Sequence, residues 1–216
     1  MKKLLTITAA TVAAASPALA HHPLGGMPME TFAHGLLSGV GHPILGFDHL
    51  FFVAAVGIAA LFTARRVLAP AAYIAAMLLG CGLMYAGVGL PMKETVIALS
   101  LLVLGGALVS GRTMGTPVTL ALFAGFGLFH GSAFGNSIAG QEGGINTAVL
   151  IGYLIGLGAV QYLIALAAGW LAEKLLGVTG AAAINARLVG AMVAGVGLFL
   201  CLDAVEGPLV ALLTGV

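Results

Sequence analysis

The chain has 216 residues, of which only 8 are Lys or Arg and 7 are Asp or Glu, while 61% are hydrophobic. A soluble domain has about 25% charged residues, so the 7% found here is too few to cover a surface that faces water. The net charge of +1 and the lack of a basic face exclude nucleic acid as a partner, and the composition predicts an integral membrane protein that contacts the lipid bilayer.

The first residues have the order of a bacterial secretory signal. Two lysines precede an apolar run over 4–15, and a triplet with small outer residues follows at 18–20. This pattern predicts a signal peptide over 1–20 with cleavage after Ala20, which leaves a mature chain that begins at His21 outside the cytoplasm. An uncleaved first helix is the alternative, and it also places His21 outside.

Residues 21–45 are predicted to form a periplasmic segment before the first membrane crossing. Its apolar part, 31–40, is too short to span the hydrocarbon core, which needs about 20 apolar residues. We therefore expect an interfacial or re-entrant helix in this segment.

Apolar stretches in residues 46–216 predict the membrane domain. The stretch 50–64 rises only about 22 Å as a helix, so the first crossing has to include Asp48 and His49. The predicted fold is an all-α membrane protein, a bundle of about six transmembrane helices, with crossings near 46–64, 68–90, 95–111, 115–136, 145–171 and 186–203.

Basic residues set the predicted orientation. With the mature N-terminus outside, Lys93 lies on the periplasmic side, and the cytoplasmic loops hold Arg65, Arg66, Arg112, Lys174 and Arg187. Cytoplasmic loops of membrane proteins carry such an excess of positive charge. The sequence predicts a multi-pass protein of the bacterial inner membrane, with the mature N-terminus and the C-terminus both in the periplasm.

Ionisable side chains inside the apolar zone are the candidate functional residues, because each costs about 2.5–3.5 kcal/mol on insertion scales. The string HPILGFDH supplies His42, Asp48 and His49 at the outer start of the first crossing. Imidazole nitrogens with a carboxylate suit nickel, cobalt or zinc better than magnesium or calcium. Pro43 and Gly46 interrupt helices, so a break between the histidines could bring His42 back toward the other two residues.

His130, in a Phe-His-Gly sequence within the fourth crossing, completes the predicted metal site. It is predicted to lie about six residues, or roughly 9 Å, below the outer end of its helix, at a depth comparable with Asp48 and His49. The alternative is structural: Asp48 caps a helix, and the histidines serve packing or lie in the wet interface.

Five further residues are weaker metal candidates. His21 and His22 could chelate a transition metal together with the new terminal amine, if the signal peptide is removed as predicted. His34 lies on the interfacial segment. Glu94 and Glu142 lie at outer helix ends and in outer loops, where each can also serve as a solvated end charge.

On these motifs the chain resembles the HupE/UreJ family of small nickel permeases. The resemblance extends over the whole chain and rests on HPILGFDH and on FHG at 129–131. It implies nickel import, or cobalt import, for hydrogenases and ureases, with metal chaperones or metalloenzyme maturation proteins as downstream partners. In one departure, Phe134 and Ser137 stand near where the family commonly has a second histidine and an acidic residue, and Glu142 could replace that acid only if its loop folds back.

The leading functional hypothesis is a secondary permease, not an enzyme, that carries the divalent metal as its substrate without a permanent cofactor. The alternatives are a metal-dependent membrane enzyme and an accessory or sensor protein that binds metal without transport. The chain has no Gly-x-Ser-x-Gly, His-Glu-x-x-His or Walker string. The sequence leaves a homo-oligomer open.

Overall fold

The computed structural model describes residues 28–140 and 145–214. Within these ranges the helices are α1 (Phe32–Leu45), α2 (Phe47–Ala60), α3 (Ala69–Tyr85), α4 (Lys93–Ser110), α5 (Thr116–Ala139), α6 (Thr147–Lys174) and α7 (Ile184–Thr214). Helices α4, α5, α6 and the Ile184–Glu206 part of α7 are each long and apolar enough to cross a membrane. The predicted class, an all-α membrane protein, is therefore confirmed, while the predicted signal peptide lies outside the described residues.

The first helical unit is a bent pair of short helices. Helices α1 and α2 are separated by Gly46 and bent by 82°, and they meet the length and hydropathy of a membrane span only together. Gly46 has an extended backbone, with φ −86 and ψ 98, whereas Pro43 lies inside α1. Helix α1 therefore runs past 31–40 and joins the first predicted crossing directly. With the apolar helix α3, the described chain supplies six helical units for the bundle.

Glycines let the bent pair lie directly on α6. A Cβ added at Gly152 would collide with the carbonyl oxygen of Phe32, and one added at Gly57 would collide with that of Ala165. Small residues allow this close approach of membrane helices. The two contact points are 13 residues apart on α6, or about 20 Å along its axis, so α1 and α2 contact successive parts of α6.

Helix α2 occupies the centre of the bundle. It contacts each of the other helices, while α3 packs mainly on α5 and α4 on α7. Nine of its 14 residues are buried. Its first turn carries Asp48 and His49, so this helix places one predicted site residue, His49, inside the bundle and the other, Asp48, at its edge.

Polar contacts distinguish the two ends of the bundle. At one end Arg66 pairs with Glu173 at 3.1 Å, and Arg187 donates to a carbonyl oxygen in the last turn of α4. At the other end Lys93 Nζ donates to Asn136 Oδ1 at 2.7 Å. The basic residues predicted to be cytoplasmic thus gather at one end, which we call the basic end, and Lys93 lies at the opposite one.

Candidate metal-binding site

The bend at Gly46 brings the predicted site residues together. His42 lies in the last turn of α1 and His49 in the first turn of α2, and their ring centroids are 6.4 Å apart. On an unbroken helix, side chains seven residues apart would be separated by about 10 Å. The break at Gly46 therefore brings His42 toward His49, as predicted, whereas Pro43 does not interrupt α1.

Two buried imidazoles face each other at the centre of the site. Nδ1 of His49 and Nδ1 of His130 are 2.8 Å apart, and the exposed fractions of the two residues are 6% and 0%. His130 lies nine residues before the end of α5, about 14 Å deep along the helix and deeper than predicted. The imidazole pair is thus enclosed by the bundle.

Ser100 on α4 contacts the imidazole pair from a third helix. Its hydroxyl donates to the carbonyl oxygen of Ile97 at 2.6 Å and also lies 3.0 Å from Nε2 of His130. Because a hydroxyl has one proton, its oxygen has to accept a proton from Nε2 of His130. In the neutral ring Nδ1 of His130 is then an acceptor, and Nδ1 of His49 donates to it.

Asp48 lies beside the imidazole pair rather than capping a helix. Its Oδ2 is 3.8 Å from Nε2 of His49, and its side chain is 27% exposed. The N-cap of α2 is Gly46, and no side chain caps this end. A carboxylate in the first turn is also favoured by the helix dipole. Asp48 thus connects the buried pair to the surface of the protein.

His42 is held by two hydroxyl groups. Its Nδ1 lies 3.0 Å from Oγ of Ser137 and 3.3 Å from the hydroxyl of Tyr153. The Tyr153 hydroxyl also donates to the carbonyl oxygen of Phe134 at 3.1 Å, which ties His42 to α5 and α6. Ser137, where the family commonly has an acid, serves here as a neutral contact of His42.

Aromatic rings close the site on its remaining sides. Phe134 is completely buried, with its ring centroid 4.1 Å from that of His49 and 5.1 Å from that of His42. Phe52 stacks on His130 at 4.3 Å. Tyr73 lies 6.0 Å from His130, and its hydroxyl donates to a buried glutamine of α6. Phe52 and Tyr73 separate the imidazole pair from the apolar core toward the basic end.

The weaker candidates lie away from the pair or outside the described residues. His34 is at the start of α1, where its Nδ1 accepts from the backbone N–H of Glu30. Glu94, in the first turn of α4, interacts electrostatically with Asp48. His21, His22 and Glu142 are outside the described ranges. In 28–140 and 145–214, no three His, Cys, Asp or Glu side chains are close enough to hold one metal ion together.

Sequence reasoning missed three side chains that shape the site. Ser100, Tyr153 and Phe52 were not singled out, because a serine or an aromatic residue in an apolar helix is common. A usable signal existed for one of them: Ser100 is the one polar residue between Thr95 and Ser110. Ser100 and His130 are 30 residues apart in the sequence, and only the packing of α4 against α5 brings them into contact.

The imidazole pair is spaced almost as two ligands of one metal ion. An imidazole nitrogen binds a divalent transition metal at about 2.0–2.1 Å, so two nitrogens at an angle between about 90° and 109° are about 2.8–3.4 Å apart. The observed separation of the two Nδ1 atoms is 2.8 Å. A shift of a few tenths of an ångström, with loss of the shared proton, would let both nitrogens contact one ion.

Comparisons with known proteins agree with the motifs. The family model described as HupE / UreJ protein matches residues 9–200, which include every helix that carries a site residue. Protein HupE from Rhizobium leguminosarum bv. viciae is 32% identical over 196 residues, covering 87% of this chain and 100% of that protein. No solved structure matches the chain.

Proposed function

Because the chain belongs to the HupE/UreJ family of membrane proteins, we propose that it is a secondary permease, not an enzyme, that imports a divalent transition-metal cation. Nickel is the favoured substrate and cobalt the second. The observation that carries this proposal is the imidazole pair of His49 and His130, two neutral ligand side chains facing each other inside an apolar bundle. Such groups are rare within membrane segments and mark ion pathways.

The cation first meets Asp48, the partly exposed member of the site. Its carboxylate attracts a cation from the side of Lys93 and Glu94, which is the periplasmic side in the proposed orientation. The ion then passes to the imidazoles, where nitrogen ligands discriminate against magnesium and calcium. His42 adds a third imidazole on the same side, 6.4 Å from His49 between ring centroids.

Binding between the two Nδ1 atoms requires the proton on Nδ1 of His49 to leave. In exchange, Nε2 of the same ring would take up a proton, so that the ring stays neutral and its new N–H faces the Asp48 carboxylate, 3.8 Å away. A ligating histidine is commonly oriented by a carboxylate in this way. Asp48 then both attracts the metal and stabilises His49 in the tautomer that binds it.

Release toward the cytoplasm requires Phe52 and Tyr73 to separate, because they cover the imidazole pair on the side of the basic end. The chain has no Walker string, so existing gradients supply the energy. Moving a divalent cation through 100 mV yields about 4.6 kcal/mol. At about 1.36 kcal/mol per factor of ten, this sustains roughly a thousandfold accumulation.

The direct test of this proposal uses purified protein in liposomes. Nickel or cobalt should enter without ATP, and uptake should be faster when the interior is made negative with a potassium gradient and valinomycin. Empty liposomes, and liposomes with the same protein at zero potential, are the controls. Strict dependence on ATP, or uptake that ignores the potential at fixed pH, would contradict electrogenic permeation. Metal binding without entry would favour an accessory or sensor protein.

The proposed orientation in the inner membrane makes a second prediction. Since five basic residues lie at the basic end and Lys93 at the other, the basic end should face the cytoplasm. A C-terminal alkaline phosphatase fusion should be active, and a green fluorescent protein fusion at the same place should be dark. The reverse pattern would mean that the C-terminus is cytoplasmic and that the number of crossings is odd.

A further inference from the structure

We propose that Ser100 is a positioning residue that fixes the tautomer of His130 and so keeps Nδ1 of that ring available for the metal. The inference deepens the proposed function, since it concerns the same imidazole pair. Ser100 is completely buried and lies on α4, on which Glu94 in the first turn was the one sequence-predicted candidate.

The hydrogen bonds around Ser100 leave one arrangement of protons. Its hydroxyl proton is used by the carbonyl oxygen of Ile97, at 2.6 Å. The contact between its oxygen and Nε2 of His130, at 3.0 Å, therefore requires the proton to lie on Nε2. A neutral imidazole has only one N–H, so Nδ1 of His130 carries the lone pair that faces His49.

The alternative tautomer would place the proton where the metal has to bind. Within the described chain, Ser100 is the hydrogen-bond partner of Nε2 of His130, and the rings of Phe52 and Tyr73 also lie close to this imidazole. Without the hydroxyl oxygen, a proton on Nε2 would be buried without an acceptor. The ring would then favour a proton on Nδ1, which is directed at His49 and blocks a metal ligand.

The hydrogen bond from Ser100 to Ile97 does not by itself explain why a serine occupies this position. Ser110, on the same helix, donates to the carbonyl oxygen of Ala107 at 2.7 Å, the same spacing of three residues, and it contacts no histidine among the described residues. Ser110 thus makes the same bond back to its own helix, and its oxygen accepts from the backbone N–H of Arg112 at 3.2 Å rather than from a histidine. Ser100 differs by its burial and by the contact with Nε2.

The test measures nickel uptake by the full-length protein in liposomes over a range of nickel concentrations. Ser100→Ala should raise the half-saturating concentration about 10–100-fold, the usual effect of removing the partner of a ligating histidine, and leave the maximal rate largely intact. Ser100→Thr keeps a hydroxyl that can bond to the preceding turn and should restore the half-saturating concentration. Ser110→Ala removes the equivalent hydrogen bond to Ala107, and this control variant should take up nickel as the wild type does.

A spectroscopic measurement decides the tautomer without reference to transport. Nitrogen NMR of histidine-labelled protein at about pH 8, where an ordinary imidazole is neutral, distinguishes a protonated from an unprotonated ring nitrogen. The His130 signal is the one lost in His130→Asn. We expect a proton on Nε2 in the wild type and a shift of the population toward Nδ1 in Ser100→Ala.

The outcomes separate this inference from the proposed function. A proton on Nδ1 of His130 in the wild type would overturn the inference, and so would an unchanged half-saturating concentration in a folded Ser100→Ala protein. If wild-type liposomes admit no nickel, the permease proposal fails. The spectra and a nickel titration of the His130 signal would still show whether Ser100 sets the tautomer and the metal affinity.

Discussion

Replacing His49 with alanine should reduce nickel uptake to the background of cells that lack the protein, with near-normal amounts of protein in the membrane. His49 is the side chain that connects the site, since Nδ1 faces His130 at 2.8 Å and Nε2 faces Asp48 at 3.8 Å. Its loss leaves the remaining imidazole without a second nitrogen at ligand distance. Uptake of radioactive nickel, normalised to an immunoblot of the membrane fraction, provides the measurement.

Two companion variants and one control make this result specific. Asp48→Asn keeps the shape of the side chain but removes the charge and the proton acceptor, so it should also abolish uptake. His42→Ala should do the same, because it removes the imidazole nearest the outer side. His34→Ala is the matched control, since this histidine lies two turns before His42 and bonds only locally. Normal uptake by His49→Ala, Asp48→Asn and His42→Ala would mean that these side chains have a structural role and take no part in transport.

Gly131→Ala should prevent the bundle from folding, although it adds only one methyl group beside His130. A Cβ at this position would collide with the carbonyl oxygen of Met77 and lie 2.9 Å from the backbone nitrogen of Cys81. Backbone atoms of α3 cannot rotate away as a flexible side chain can. Overpacking costs about 1–3 kcal/mol and more where the backbone has to move, so little folded protein should remain.

The same helix supplies the control for this prediction. A Cβ added at Gly125 meets nothing within 4 Å, and alanine is favoured over glycine in a helix interior by about 1 kcal/mol. Gly125→Ala should therefore keep or raise the yield and the thermal stability of the protein, measured by fluorescence-detected size exclusion. Equal behaviour of the two variants would mean that α3 and α5 do not pack as closely as described.

The positions of the apolar helices could be predicted from composition. The division of the first membrane unit into two bent helices could not. The predicted third crossing, 95–111, and α4 (Lys93–Ser110) differ by two residues or fewer at each end, because charges bound this stretch. At the first crossing, the segment 31–40 is too short by its length alone to span the membrane, and Pro43 and Gly46 are both predicted to interrupt the helix that follows. In the structure Pro43 stays inside α1, and the interruption occurs three residues later at Gly46.

The residue types of the candidate site could be read from the sequence, whereas the bonds between them could not. A histidine or aspartate in an apolar helix stands out by its cost of insertion, which drew attention to Asp48 and His130. The sequence does not indicate which ring nitrogen of each histidine faces which neighbouring side chain. That depends on the packing of α2, α4 and α5, and so the contact between Ser100 and His130 emerges only from the fold.

In the proposed permease, the use of hydroxyl groups rather than carboxylates around the histidines would influence how long an ion stays in the site. Ser100 and Ser137 hold His130 and His42 without adding charge, and Asp48 is the one carboxylate that contacts the imidazole pair within the described chain. A divalent ion bound there retains a net positive charge of about one, because a single carboxylate cancels only half of its charge. Rapid permeation requires a site that binds the ion strongly enough for it to enter and weakly enough for it to leave. If the protein transports metal as proposed, this incompletely neutralised site would favour brief dwell times and fast turnover over tight retention.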